Sequence, residues 1–270
     1  MVVKHNLQAM NSSRMLGLNT STLSKSTEKL SSGYRINRAA DDAAGLSISE
    51  KMRRQIRGLT QASTNAQDGV SMVQTAEGAL NEVHDMLQRL NELAVKANNG
   101  TLQSEDITYI NDEVKQLVSE IDRTAQNTTF NKKSLLTGGT TVSLQVGAES
   151  GQMITFDLSK MDANGIGVSK LTATNNHISS GDAIKVIDDA IQSVSRFRSS
   201  LGAIQNRLEH TINNLDNVAE NTQAAESRIR DTDMASEMVQ YSNNQILAQA
   251  GQAMLAQANQ ANQGVLALLQ

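Results

Sequence analysis

The chain has 270 residues, and its 28 aspartates and glutamates outnumber its 24 lysines and arginines, which gives a formal net charge of −4. This acidic balance argues against nucleic-acid binding, and the absence of cysteine excludes disulfides and thiolate metal sites. The sequence has no proline, so long uninterrupted helices are permitted, and only 2% of its residues are aromatic, so aliphatic side chains must build the core.

The sequence contains neither a membrane-span pattern nor a secretory-signal pattern. No apolar run approaches the roughly 20 residues that cross a bilayer, so we expect no membrane association. Residues 1–6 lack the basic-then-apolar order of a cleaved signal. We therefore expect the protein either to stay in the cytoplasm or to leave by a route that needs no cleaved signal.

The first predicted helix carries an apolar row with a seven-residue period. The row comprises Val2, Ala9, Leu16, Leu23 and Leu30. Such a repeat predicts a coiled-coil seam. Ser, Thr and Asn fill many of the other positions, so the helix is expected to be weakly ordered alone and helical on assembly. A connector of small polar residues is predicted over 33–45.

Two helices that fold back on each other are predicted after the connector. Apolar residues recur at steps of three or four from Ile48 to Ala97, which predicts a long helical rod. The Asn-Asn-Gly sequence at 98–100 predicts a left-handed C-terminal cap. Ser104, followed by two acidic residues, predicts the start of a shorter returning helix that extends to Ala125.

The apolar period changes from helical to alternating after residue 131. Alternation on both sides of a glycine-flanked loop predicts a β-hairpin over residues 141–158. Residues 159–181 are rich in Gly, Asn and Ser and are predicted to be irregular. Helical spacing returns from Ile184 to Thr232, which predicts a second long rod that pairs with the first.

Residues 238–270 contain no Asp, Glu, Lys or Arg but keep a helical apolar stripe. The stripe comprises Leu247, Ala250, Met254, Ala258, Ala261, Val265 and Leu268. Gln and Asn occupy much of the other faces. In an assembly of identical copies, a charge here would lie close to the same charge on a neighbouring copy and would be costly to desolvate. We predict that the stripe pairs with the N-terminal row and that both are assembly residues, buried when copies pack together.

Six blocks of the sequence resemble conserved segments of bacterial flagellin. They are Leu30–Leu46, Gln67–Leu80, Leu87–Val95, Leu201–Leu215, Ala224–Ala235 and Gln249–Leu269. The blocks cover most of the chain, at both ends and in register, which is far more specific than a single motif. Only about 50 residues separate Asn131 from Gly181, so we predict that the extra outer domains of many flagellins are absent.

The patterns and the resemblance together predict a mainly α fold. Long antiparallel helical rods and terminal helices paired as a coiled coil are accompanied by one small β-hairpin. The resemblance implies an inner domain of residues 1–33 and 238–270, which forms the filament core. It also implies an outer domain of residues 34–237 that includes the hairpin.

A flagellin-like chain is expected to be a non-catalytic structural subunit that polymerises into the extracellular flagellar filament. The resemblance implies export in an unfolded state through the flagellar type III apparatus. It implies as partners further copies of the chain, an export chaperone on the C-terminal segment, and the filament cap and hook-junction proteins. No cofactor and no metal are expected.

Two other classes of protein share part of this layout. A hook–filament junction protein also has paired ends, although the close match over Leu201–Leu215 and Ala224–Ala235 disfavours it. A signalling coiled coil would need a membrane anchor and charged tips, which the sequence lacks. An enzyme has no support, because no acid, base and nucleophile are predicted to converge.

A recognition surface is implied by four residues on the first rod and the returning helix. They are Arg89, Leu93, Ile110 and Glu113. In flagellins similar to this chain, the matching residues contact the vertebrate flagellin-sensing Toll-like receptor. The alternative is ordinary rod surface that packs between subunits. Both can hold, because a surface buried in the filament would be recognised only on monomers.

A basic cluster and scattered polar residues complete the candidates. Arg35, Arg38, Lys51, Arg53, Arg54 and Arg57 form the cluster, which we interpret as pairing between subunits or within helices. Its predicted acidic partners include Glu226, Asp231, Asp233 and Glu237. The four histidines share no metal-ligand spacing, and Asp162 begins a calcium-loop pattern that lacks the later ligands.

Overall fold

The computed structural model describes residues 6–172, 178 and 181–267, and it confirms the mainly α fold. The helices are α1 (Leu7–Ser32), α2 (Ala43–Ala97), α3 (Ser104–Asn127), α4 (Gly181–Arg230) and α5 (Met234–Ala267). The strands are β1 (Thr129–Phe130), β2 (Lys133–Ser134), β3 (Thr140–Gln145) and β4 (Met153–Leu158), and a short 3₁₀ helix covers Val168–Leu171. The predicted rods, the returning helix and the β-hairpin are thus all present.

The predicted left-handed cap at the end of α2 is wrong. Gly100 is not among the glycines with positive φ, whereas Gly33, which caps α1, is left-handed with φ of 76°. The last turn of α2 is closed instead by backbone bonds, from the Asn98 N–H to the Ala94 carbonyl and from the Asn99 N–H to the Lys96 carbonyl, each at 3.1 Å, and Asn98 Nδ2 also donates to the Ala94 carbonyl. These bonds satisfy two carbonyls of the last turn without a left-handed residue.

The chain folds as two compact units, residues 1–54 with 220–270 and residues 55–219. We name them the terminal unit and the middle unit. The domain limits predicted from the sequence, at 33/34 and 237/238, separate the residues expected in the filament core from those expected outside it. They differ in kind from the two units, which are defined by contacts within one chain. Those limits stay a prediction.

The middle unit is held by a core that α2, α3, α4 and the segment between β4 and α4 build together. Leu80, Leu87 and Leu90 on α2 and Leu201 on α4 are fully buried. The spacing of seven and three residues places the three α2 leucines on one helical stripe. At the other end of the unit, Leu59 and Ala62 on α2 form a smaller cluster with Leu215 on α4. The predicted pairing of the two rods is confirmed within this unit.

The β3–β4 hairpin lies directly against α2, at positions where α2 has glycine. A Cβ on Gly58 would lie 2.8 Å from the Cβ of Ala148, and a Cβ on Gly69 would lie 2.3 Å from Cδ1 of Leu144. Between them, Asn65 Nδ2 donates to the Gln145 carbonyl at 3.1 Å. Because 58 and 69 are three helical turns apart, both glycines face the hairpin, and their missing side chains allow the close approach.

The segment predicted as irregular after β4 contributes buried apolar side chains in its described part, residues 159–172 and 178. Ala163 and Val168 are fully buried and Leu171 is 3% exposed, and all three belong to the main core of the middle unit. The Ala163 N–H donates to Asp122 on α3 at 2.8 Å. The glycine and asparagine content indicated the irregular backbone correctly, but it gave no sign that the apolar residues between them complete the core.

A second, smaller hairpin was not predicted. Strands β1 and β2 pair antiparallel, with Phe130 opposite Lys133, and a two-residue turn joins them. Both turn residues are left-handed, with φ of 48° at Asn131 and 66° at Lys132. This is the pattern of a type I′ turn, for which Asn-Gly is the usual sequence. A lysine at the second position hid the signal.

Replacement of Lys132 by glycine is expected to raise the free energy of unfolding by about 0.5–1 kcal/mol, because the strain of a left-handed L-residue exceeds the backbone entropy that glycine loses. Thermal unfolding followed by circular dichroism measures it. The matched control is Lys133→Gly, which places glycine in a strand and is expected to lower stability by a similar amount. A change of the same sign in the free energy of unfolding of both variants would contradict the role of the turn.

Candidate functional site

The terminal unit is organised around an antiparallel pair of α1 and α5. Asn6 Nδ2 donates to the Ala258 carbonyl and Asn19 Nδ2 to the Asn244 carbonyl, each at 3.0 Å. Both bonds join a side chain of one helix to the backbone of the other. Polar residues of this kind at a helix–helix seam fix its register.

The seam between α1 and α5 is made of small, polar and half-buried residues. On α1 it comprises Ala9, Ser12, Leu16, Asn19, Leu23, Ser26 and Leu30. Four of these belong to the predicted row, and their role in assembly stays a prediction. On α5 it comprises Glu237, Tyr241, Asn244, Ala248, Gly251, Leu255 and Ala258. A Cβ on Gly251 would lie 3.2 Å from Cδ1 of Leu16, so the helices approach closely there.

The α5 row predicted to pair with α1 is wrong at Leu247, Ala250 and Met254, which are exposed, and correct at Ala258, which lies in the seam. Leu247 and Met254 do not enter the seam, and each is 58% exposed. Ala248, Gly251 and Leu255 take the seam positions. Ala248 and Gly251 allow the two backbones to approach closely, and the neighbouring Leu247 and Met254 are then directed to the outside of the pair, while Leu255 is half-buried at the seam.

The displaced side chains line an apolar groove on the outside of the pair. Met15 and Leu18 of α1, which are 53% and 59% exposed, face Leu247 and Met254 of α5 across a volume of about 550 Å³. Large exposed apolar patches of this kind on a soluble chain mark interaction surfaces. The groove therefore gives the pair a surface for a partner.

Four of the predicted assembly residues cannot be placed in this groove or seam. Val2 and Leu268 lie outside the described residues. Ala261 and Val265 lie on the helical backbone of α5, and their side chains are outside the described part of the chain.

The connectors between helices of the terminal unit are clamped to each other. Tyr34 and Asp231 form an isolated antiparallel bridge, and the Thr232 N–H donates to the Gly33 carbonyl at 2.9 Å. The Arg230 guanidinium lies 4.7 Å from the centre of the Tyr34 ring, within cation–π distance. The clamp holds the end of α1 next to the start of α5.

The predicted basic cluster is partly paired within the chain. Arg38 pairs with Glu28 at 2.9 Å, and Glu50 accepts from both Arg53 and Arg230. The hydrogen bond from Arg230 is the main cause that lowers the pKa of Glu50. Of the four predicted acidic partners, Glu237 forms an ion pair, at 3.7 Å. Its partner is Lys29, which does not belong to the predicted basic cluster. Pairing between subunits stays a prediction.

The predicted recognition residues come together on adjacent faces of α2 and α3. Arg89 pairs with Glu113 across the two helices and with Glu92 on its own helix, with N–O distances of 2.9 Å in each case. The hydrogen bonds to Glu92 and then Glu113 raise the pKa of the Arg89 guanidinium. Arg89 and Glu113 are about half exposed, so a binding partner can reach both side chains while the ion pair holds them in place.

Leu93 and Ile110 lie beneath that charged pair. Leu93 is 2% exposed and Ile110 is 6% exposed, and both belong to the core of the middle unit. Their helical spacing did not distinguish an accessible surface from the core edge. In the folded chain they support the surface, while Arg89 and Glu113 form its accessible part.

The described residues offer no metal centre and no membrane span. Within the described part of the chain, no three His, Asp or Glu side chains lie together as a metal site would require. The Asp162 carboxylate accepts a hydrogen bond from the Gly165 N–H at 2.7 Å and forms an ion pair with Lys160 at 3.3 Å. Across 6–172, 178 and 181–267, no helix combines the length and apolar character needed to cross a membrane.

Two family models match the chain at its two ends. The bacterial flagellin N-terminal helical region matches residues 3–141, and the bacterial flagellin C-terminal helical region matches residues 184–269. Together they cover the paired helices, both rods and the returning helix.

Individual proteins agree with the family models. A flagellin of Halalkalibacterium halodurans is 57% identical over 272 residues and covers all of both chains. A flagellin of Bacillus subtilis is 48% identical over 303 residues, again with full coverage of both chains. The crystal structure of Bacillus cereus flagellin is 30% identical, with a TM-score of 0.50, and covers 56% of this chain and 88% of that one.

Proposed function

This chain belongs to the bacterial flagellin family and is a structural subunit of a flagellar filament, and we propose that it polymerises through its paired terminal helices. The assembled chain is expected outside the cell, with residues 1–33 and 238–270 as the filament core and residues 34–237 around them. The hook–filament junction alternative is not favoured, because a flagellin matches over the whole chain.

The observation that carries this proposal is the exposed groove of Met15, Leu18, Leu247 and Met254. Full burial of each Leu or Met side chain is worth about 1.5–3 kcal/mol, so the groove gains substantially when another copy covers it. Contacts that join one face of a copy to a different face of the next propagate a helical tube when the rotation between copies does not close a ring. The charge-free sequence of residues 238–270 permits such packing without buried like charges.

Negative-stain microscopy of the purified chain after seeding tests this function. We expect long tubes of uniform diameter and a sharp protein concentration below which no tubes form. Monomers or closed rings at high concentration would contradict the proposal.

Before assembly, the exposed groove and the charge-free helix need protection. We infer that an export chaperone covers the C-terminal segment, and that the chain passes unfolded through the flagellar type III apparatus. The filament cap and the hook-junction proteins are the further partners that such a subunit requires at the two ends of the filament. When filament seeds are added to a complex of the chain with its chaperone, we expect the chain to leave the chaperone and join the filament.

We further propose that Arg89, Leu93, Ile110 and Glu113 serve recognition by the host flagellin-sensing Toll-like receptor. Arg89 and Glu113 are its accessible part, and the buried Leu93 and Ile110 keep α2 and α3 at the right separation. An Arg held by two carboxylates is pre-oriented, which lowers the entropy lost on binding.

Simultaneous replacement of Arg89 and Glu113 by alanine is expected to weaken receptor binding by about tenfold or more, as for the loss of interface anchors. Titration of the monomeric chain against the receptor ectodomain measures it. Because both side chains are about half exposed, the circular dichroism spectrum should stay unchanged. The matched control is Lys115→Ala, which removes another exposed ion pair of α3. Equal affinity of the wild type and the double variant would refute the surface.

A further inference from the structure

Tyr109 is the most exposed of the large hydrophobic side chains in the described residues, at 73%. It lies on α3, and acidic residues stand three and four positions away on both sides, at 105, 106, 112 and 113. Side chains at these spacings share one helix face. Asp106, Asp112 and Glu113 accept hydrogen bonds or ion pairs within the chain, whereas Glu105 is exposed with no such contact in the described structure.

The middle unit also carries a groove on a different face, between the β3–β4 hairpin and α4. Phe156 and Phe197, which are 7% and 6% exposed, line it together with Met161, and hydroxyl groups of Thr155, Ser159, Ser193 and Ser200 border it. Its volume is about 560 Å³. An aromatic lining with hydroxyl groups at the border suits a tyrosine, which has an apolar ring and a polar end.

The groove has one cationic side chain, Arg196, and one anionic side chain, Asp157, and the cation is the group that complements the acidic face around Tyr109. Arg196 lines the groove and donates to the Gln192 side chain at 3.3 Å. In the described residues of the middle unit, Arg89, Arg123 and Arg198 each pair with a carboxylate, whereas Arg57, Arg196 and Arg207 have none within 4 Å. Of these three, Arg196 lines the groove. The groove also contains Asp157, whose carboxylate is occupied by the Thr141 hydroxyl at 2.6 Å. The guanidinium of Arg196 is thus available to a carboxylate from outside the chain.

We propose that Tyr109 of one copy inserts into the Phe156–Phe197 groove of another copy and that Glu105 of the first pairs with Arg196 of the second. The two faces are formed by different residues of the same unit, so the contact is head-to-tail, the kind of contact from which an open helical polymer can be built. This inference rests on the proposed polymer and names a specific contact within it. Tyrosine and arginine are the residue types that most often anchor protein interfaces.

The first test compares Tyr109→Ala with Tyr109→Phe in seeded polymerisation, with the free concentration measured after sedimentation. Tyr109→Ala is expected to raise the critical concentration by about tenfold or more, as for the loss of an interface anchor. Tyr109→Phe keeps the ring and is expected to change it by less than about threefold. At 73% exposure, neither change should alter the fold, and circular dichroism of the monomer checks this.

The second test exchanges the charges. Glu105→Arg and Arg196→Glu are each expected to raise the critical concentration, because each creates a pair of like charges across the contact. The double variant should return it towards the wild-type value. A double variant no better than the worse single variant would overturn the contact.

The outcomes separate this contact from the proposed function. Wild-type filaments with an unchanged critical concentration for Tyr109→Ala would overturn the contact and leave the polymer intact. A wild-type chain that forms no filaments after seeding would overturn both. A Tyr109→Ala variant that loses receptor binding but polymerises normally would assign the side chain to the receptor surface and also overturn the contact.

Discussion

A chain that lacks residues 241–270 is expected to form no filaments at any attainable concentration, while its middle unit stays folded. The deletion removes nearly all of α5, including Leu247 and Met254 of the groove and the seam residues from Tyr241 onward. Without that partner, α1 has only half-buried Leu16, Leu23 and Leu30 to pack and no surface to pack them on. An isolated helix of modest propensity is not stable in water.

The middle unit should survive this deletion because its core does not use the missing residues. Its three clusters of buried side chains lie between Leu59 and Ala219. Sedimentation and negative-stain microscopy measure polymerisation, and the cooperative thermal unfolding of the remaining chain measures the middle unit. Filaments of normal length from the shortened chain would rule out the assembly role of α5.

A point variant separates loss of the groove from loss of the helix. Met254→Lys places a charge in the groove at a side chain that is 58% exposed, so the monomer should be little affected and the polymer should fail. Met254→Leu is the matched control, because it conserves volume and apolar character and should polymerise nearly normally. Normal filaments from the lysine variant would contradict burial of the groove.

Leu208→Ala is expected to lower the stability of the middle unit by about 2–5 kcal/mol, which is the usual cost of truncating a fully buried leucine. Leu208 on α4 is fully buried against Ala66 on α2 and Ile154 on β4. The leucine is therefore the point at which the second rod, the first rod and the hairpin meet. Its truncation leaves a cavity that the rigid helices cannot close.

Thermal and urea unfolding of the full chain, followed by circular dichroism, measure this effect. The matched control is Val95→Ala on α2, a side chain that is 56% exposed, for which a change within about 0.5 kcal/mol is expected. Similar losses in both variants would show that Leu208 does not join the three elements. Resistance of the hairpin to proteolysis should fall only in the Leu208 variant.

Much of the architecture was predictable because helical periodicity is a local property of the chain. The rods from Ile48 and Ile184 were placed within a few residues of α2 and α4, and the hairpin at 141–158 closely matches β3 and β4. The absence of proline supported these long helices. Family resemblance then gave the function, since both ends of the chain carry flagellin sequence blocks.

The candidate sites were predicted less completely, because spacing identifies a helix face without showing what covers it. Arg89 and Glu113 do form an accessible pair, but Leu93 and Ile110 on the same predicted surface are buried. Tyr109, the most exposed large hydrophobic side chain described, was not singled out at all. Its exposure depends on how α3 packs on α2, which no local pattern records.

By itself, then, the sequence determined the helices, the hairpin, the charge-free C-terminal segment and the family. Only the tertiary structure decided that Gly251 and Ala248, and not Leu247 and Met254, face α1. Both rows have helical spacing, so periodicity could not choose between them. The choice depends on backbone separation, which small residues allow to be short, and the larger side chains are left outside, where another copy can bury them.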